Sequence, residues 1–191
     1  MMNRKKFIEF ATLNIGFLSV VPMAIGCKSE TRDQTGGELA QNETKETQNP
    51  KIVKDSAGQL LNVMGDHQNI KLTGEDTNGQ FTLIEQNNKP GVGIPPHVHE
   101  NEDEVFQVIE GEVEMSIGEK VTVLKSGDLI FCPKGIQHSW KVIGNQNARA
   151  MLSIFPAGLE KMFVELSQLP VGPPDLEMVK KICSKYKLSF V

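Results

Sequence analysis

The chain is short of the residues that mark several common architectures. Its 191 residues include three cysteines, one tryptophan and one tyrosine. Three cysteines cannot build the disulfide framework of a small secreted scaffold. Its longest apolar stretch, Phe10 to Gly26, is broken by Thr12, Asn14, Ser19 and Pro22, and a membrane span needs about 20 predominantly apolar residues. An excess of one charge is also lacking. The formal net charge is -4, and from residue 27 onward 17 Lys+Arg stand against 23 Asp+Glu. That balance gives no footprint for a polyanion, so nucleic acid is excluded as an expected partner. The length allows one ordinary domain with a tail and argues against two full-sized ones.

What is present divides the chain into zones. Arg4, Lys5 and Lys6 precede the broken apolar stretch, the order found in an export signal. The stretch ends Ala24-Ile25-Gly26-Cys27, which resembles a bacterial lipobox. That resemblance implies lipidation of Cys27 and an exported, lipid-anchored protein on the periplasmic or surface side of the cell envelope, with no other membrane contact. Arg4-Lys5-Lys6-Phe7-Ile8 also resembles a twin-arginine signal with lysine in the second position. The alternative is an amphipathic helix with a buried Cys27, which Pro22 and Gly26 would end. Residues 28–50 are almost free of apolar side chains, so no core offsets the entropy of ordering them, and a disordered linker is expected. The expected organisation is a signal peptide over 1–27, a linker over 28–50, a barrel over 51–170 and a helical tail over 171–191 packed on the barrel.

Beyond Pro50, turn residues recur at short intervals: Glu110-Gly111, Gly118, Ser126-Gly127-Asp128, Lys134-Gly135 and Gly144-Asn145. Between them lie segments of strand length and strand composition: 81–85, 104–109, 112–117, 121–124, 129–132, 138–143 and 148–155. In Glu112–Ile117 strict alternation puts Val113, Met115 and Ile117 on one face, the pattern of a half-buried antiparallel strand. Many short strands without helices between them predict an all-β sandwich or barrel. Helical spacing appears only at the end, over 159–166 and 175–187, where Leu176, Val179 and Ile182 make a stripe and Asp175 stands at the N-cap position. Cys132 and Cys183 read as buried free thiols, although export would permit a disulfide.

Three of the four histidines fall in two short segments. His97 and His99 are one residue apart, so on an extended strand both imidazoles share a face, and Pro95 and Pro96 hold the chain extended before them. Glu104 opens the next strand and His138 another. Three imidazoles and a carboxylate suit a divalent transition metal. His67 falls outside this pattern and reads as a surface or loop residue. Gly91, His97, His99, Glu104 and Gly111 stand at the spacing G-x5-H-x-H-x4-E-x6-G, and Gly127, Pro133, Gly135 and His138 at G-x5-P-x-G-x2-H. Together they resemble the two motifs of the cupin superfamily. One departure is Val142, where the second motif usually has asparagine. The resemblance implies a double-stranded β-helix, or jelly-roll barrel, with short C-terminal helices. It also implies one metal ion held by His97, His99, Glu104 and His138, with Fe, Mn, Ni, Co, Cu and Zn all suited to that set.

Lys71 to Thr77, Pro156 to Phe163 and Asp175 to Val191 further resemble single-domain bacterial cupins of the quercetin dioxygenase-like group. The activity this implies is a metal-dependent dioxygenase acting on a small phenolic or enolic compound, with Glu104 as a ligand or as a general base. Inward-facing Phe106, Met115 and Trp140 are read first as core and second as pocket lining. A non-catalytic, metal-dependent module binding a sugar or metabolite is the alternative. An oxalate-type decarboxylase ranks last, because those resemble two barrels in tandem. The same resemblance implies a homodimer, since edge strands need covering.

Overall fold

The computed structural model describes residues 49–170 and 172–191. The expected signal, the lipobox-like Cys27 and nearly all of the linker lie outside the described residues. Eleven strands and three short helices are present among the described residues. Strands β1 (Gln59–Val63), β2 (Asp66–Leu72), β3 (Thr82–Asn88), β10 (Ala148–Phe155), β5 (Asp103–Glu110) and β8 (Leu129–Cys132) form one sheet in the order β1-β2-β3-β10-β5-β8. The second sheet runs β11-β4-β9-β6-β7, from β11 (Leu188–Phe190), β4 (Gly93–His99), β9 (His138–Ile143), β6 (Glu112–Ile117) and β7 (Lys120–Lys125). All pairings are antiparallel.

Period-2 alternation builds the core. In β5, Glu104, Phe106 and Val108 are buried, while the residues between them are only half-buried. Register sets Phe106 opposite Leu152, and Leu152 opposite Ile84, giving one apolar row across three strands. Val113, Met115, Trp140 and Val142 bury the facing side of the second sheet. Val142, the departure from the motif, is therefore a core residue. Its backbone N–H donates to Val92 O at 2.8 Å and its carbonyl accepts from Gly91 N at 2.9 Å, so the turn at Gly91 is held without the asparagine. Gly111 joins β5 to β6 at φ 80°, and a Cβ there would lie 2.6 Å from Asn147 O. Both the conformation and the space require glycine.

The helices are α1 (Gly74–Thr77), α2 (Glu160–Ser167) and α3 (Leu176–Lys185). Asp175 caps α3 as expected, accepting from Glu177 N at 3.0 Å and Met178 N at 3.2 Å. Its buried stripe is Val179, Ile182 and Cys183, whereas Leu176 is exposed. The tail is not helical throughout, which corrects the expectation for 171–191. After α3 the chain turns at Lys187, with φ 59°, and Leu188–Phe190 pair with β4 as an edge strand. Three residues of that kind carry too little periodicity to be told from a helix end. His67 lies on β2 rather than in a loop, and it is exposed.

Candidate metal centre

The site forms where the two sheets face each other. Antiparallel register places Phe190, His97, His138 and Ile117 in one row across β11, β4, β9 and β6. His99 lies opposite Leu188 on the same face as His97. Glu104 comes from the other sheet, where its direct neighbours are Ile154 and Cys132. All four side chains are buried. Local geometry at β4 follows from its sequence: a Cβ on Gly93 would lie 2.2 Å from Trp140 O, and the β4–β9 register shifts between Ile94 and His97, across the two prolines.

The four residues that the motif singled out are thus brought together. One donor atom from each of His97, His99, Glu104 and His138 lies within 4.8 Å of the others. His138 Nε2 is 3.2 Å from Glu104 Oε2, and His99 Nε2 is 3.5 Å from Glu104 Oε1. His97 and His138 ring centroids are 4.3 Å apart.

Their protonation follows from what each touches. His97 Nδ1–H donates to Pro95 O and His138 Nδ1–H to Ile136 O, both at 3.0 Å, which leaves each Nε2 pointing into the cluster. Burial, with His138 and His99 adding to it, lowers the His97 pKa to about 4, so the ring is neutral. Burial alone would lower His138, but the hydrogen bond and charge of Glu104 outweigh it and raise the imidazole. Burial would likewise raise Glu104, yet the hydrogen bond from His138 and the three neighbouring rings hold the carboxyl below its ordinary value. Neither nitrogen of His99 has a hydrogen-bond partner. A buried imidazole without partners is costly in a purely protein environment, and it is what a metal ligand looks like before the ion is added. The donor set fits a divalent transition metal.

One neighbour carries no motif signal. Glu102 is buried, its Oε2 is also without a partner, and that atom lies 3.6 Å from His99 Nδ1. In sequence it sits in the acidic run Glu100-Asn-Glu-Asp-Glu104, which resembles a solvated loop. Only the inward phase it shares with Glu104 distinguishes it.

Phe106, Met115 and Trp140 are all buried in the apolar core. Phe106 and Trp140 rings pack 5.8 Å apart, and Met115 is fully buried. A cavity of about 400 Å³ lies elsewhere, among Met162, Phe163 and Leu166 of α2, Val179 of α3, and Leu188 and Phe190 of β11. Asp66, Gln68 and Lys180 are its polar lining. Phe190 borders both regions, since its ring centroid is 6.4 Å from that of His97. Cys132 and Cys183 are buried free thiols. Burial pushes Cys132 up to about 12, with Glu104 adding to the shift, and Cys183 to about 11.

Fold and cluster define a two-sheet β-barrel protein with an internal three-histidine, one-carboxylate centre. Residues 85–155 match the family model described as "Cupin domain", so this part of the chain carries a cupin domain. Among curated proteins, quercetin 2,3-dioxygenase of Bacillus subtilis (strain 168) is 25% identical over 114 residues, covering 60% of this chain and 33% of that protein. Oxidoreductase OpS7 of Beauveria bassiana is 45% identical over 47 residues, covering 24% of this chain and 15% of that protein. The alignments therefore span a third or less of either relative. Among solved structures, KdgF from Halomonas sp. superposes with a TM-score of 0.52 at 17% identity, covering 59% of this chain and 99% of that one. A predicted oxalate decarboxylase from Thermotoga maritima gives 0.51 at 23% identity, covering 56% and 99%. At such identities these structures speak for the fold alone.

Proposed function

We propose that this chain is an exported, lipid-anchored cupin that holds one divalent transition metal and oxidises a small phenolic or enolic compound in a dioxygenase-like reaction. The observation that carries the reading is the buried cluster of His97, His99, Glu104 and His138, with His97 neutral and both nitrogens of His99 unpartnered. Similarity to quercetin 2,3-dioxygenase over 114 residues supports the reaction class. The basic start and Ala24-Ile25-Gly26-Cys27 support export and anchoring.

The residues divide the work. His97, His99 and His138 supply nitrogen donors, and backbone carbonyls hold the Nδ1–H of His97 and of His138. A bound metal supplies Lewis-acid and one-electron redox chemistry toward a substrate oxygen and dioxygen. Glu104, held ionised, would be the acceptor for the substrate hydroxyl proton. The cavity beyond Phe190 has the size of a small-molecule site. Its mostly apolar wall suits a flat aromatic body.

The test is to load metal-free protein with Fe, Mn, Ni, Co, Cu or Zn and follow oxygen uptake with flavonols. Uptake that depends on the metal is expected, and no uptake with any of the six would sink the dioxygenase reading. One observation favours a second reading, a metal-dependent binding module: Phe190 lines the cavity while His97 does not, so the cavity has a wall toward the cluster. Ligand retention without turnover in the same experiment would decide for it.

A further inference from the structure

The three histidines of the cluster are not held alike. His97 and His138 each give Nδ1–H to the carbonyl two residues earlier, at 3.0 Å. These bonds orient the rings whether or not an ion is bound. His99 has no such carbonyl. Its Nδ1 faces Glu102 Oε2 at 3.6 Å, and its Nε2 faces Glu104 Oε1 at 3.5 Å. One imidazole therefore lies between two carboxylates, one on each nitrogen. All three groups are buried, and His99 Nδ1, His99 Nε2 and Glu102 Oε2 lack any partner.

We propose that Glu102 is a positioning residue that holds His99 from its outer side and fixes the tautomer that turns Nε2 toward the metal. The proposal rests on the metal reading of the cluster and deepens it. Three features single out Glu102 among the acids of its segment. Glu100 is exposed. Asp103 points the other way, and its Oδ1 accepts Lys134 N at 2.8 Å to tie down the loop before β9. Glu104 faces the opposite nitrogen of His99 and belongs to the cluster itself. Glu102 alone is placed to accept from Nδ1–H and cannot reach the Nε2 side of the same ring. The present separation is about half an ångström longer than a hydrogen bond. An ion drawing electron density from Nε2 makes Nδ1–H a stronger donor, and outer carboxylates of this kind orient metal-bound imidazoles. A buried pair left just open is therefore poised to close on loading.

The experiment uses the full chain, stripped with a chelator and titrated with Co²⁺, whose visible spectrum reports ligand geometry. Glu102→Ala and Glu102→Asp, which lose the reach to Nδ1, should weaken Co²⁺ binding by roughly 10- to 100-fold and alter the visible bands. Glu102→Gln keeps an acceptor oxygen at the same reach. It should retain the wild-type spectrum and lose less affinity than the alanine variant. In the metal-free state the thermal midpoint of the alanine variant should match or exceed that of wild type, because an unpartnered buried carboxylate oxygen is removed. Wild-type affinity and spectrum in Glu102→Ala would overturn the proposal and leave the metal reading standing. An affinity loss that merely tracks a fall in metal-free stability would also overturn it, as would equal losses in Glu102→Gln and Glu102→Ala. Failure of the wild-type chain to bind Co²⁺ would remove the metal reading and this proposal together.

Discussion

Four buried donors at one point are chemically distinct because their neighbours differ. His97 touches a backbone carbonyl and other imidazoles and stays neutral, whereas His138 touches Glu104 and is pushed toward its charged form. With an ion bound, Glu104 would thus be both a donor to it and the group that balances the site before it arrives. Glu104→Gln keeps the shape and removes the charge. We expect it to abolish metal-dependent oxygen uptake and to weaken metal binding by more than the roughly 10- to 100-fold typical of outer partners. Binding of an apolar ligand in the cavity near Phe190 should stay close to wild type. Oxygen electrode and calorimetric titrations of the same preparation check both halves. Cys132, cross-strand from Glu104, is pushed up to about 12 and Cys183 to about 11, so neither offers thiolate at neutral pH. In a Cys27→Ser variant, a thiol reagent should titrate no cysteine in the folded protein and two after denaturation.

Elements differ in how much of them the sequence discloses, and the reason lies in which face is polar. β5 and β6 alternate cleanly, so their faces are legible from residue order alone. His97 and His99 are legible too, because an H-x-H step on a strand can only put both rings on one side. β2 has no such clarity. Its inward Gln68, with Gln86 and Asn88 of β3, donates to Asp66 at 2.7, 2.8 and 2.6 Å in a polar cluster that no apolar pattern announces. Glu160 shows the same effect at a helix start. It is buried and accepts from Thr82 Oγ1 at 2.5 Å, Gly158 N at 2.7 Å and Gly74 N at 3.1 Å. One carboxylate thereby ties α2 to β3 and α1. Burial would raise its pKa, but these hydrogen bonds win and lower it. A lowered folded value means that its contribution is complete above the unfolded carboxyl value, about 4.3, and is lost as pH falls through the folded value. Glu160→Ala should therefore cost about 2–3 kcal/mol at pH 7, at the scale of stranded buried donors. The difference from wild type should shrink on acidification to pH 3. Urea unfolding of both proteins at the two pH values tests the sign.

At the scale of the molecule, the cluster is a link between sheets. His97 and His99 come from β4 and His138 from β9 in one sheet, while Glu104 comes from β5 in the other. The same barrel buries Trp140 and Phe106 between those sheets, 5.8 Å apart, so the apolar core already holds the faces together. The centre therefore does not have to make the fold. It adds to it, because an ion that binds only the folded arrangement shifts unfolding by mass action, about 2.7 kcal/mol when free metal is 100 times the dissociation constant. For a domain of this size that corresponds to a rise in Tm on the order of 10 °C. Chelation should return the protein to a lower but still cooperative transition, rather than to an unfolded chain. Replacing His138 by alanine should remove the metal-dependent increment while leaving that metal-free transition in place. Thermal unfolding of wild type and variant, each with metal and with chelator, separates the two cases. An increment that survives the His138 substitution would place the stabilising ion somewhere other than between the two sheets.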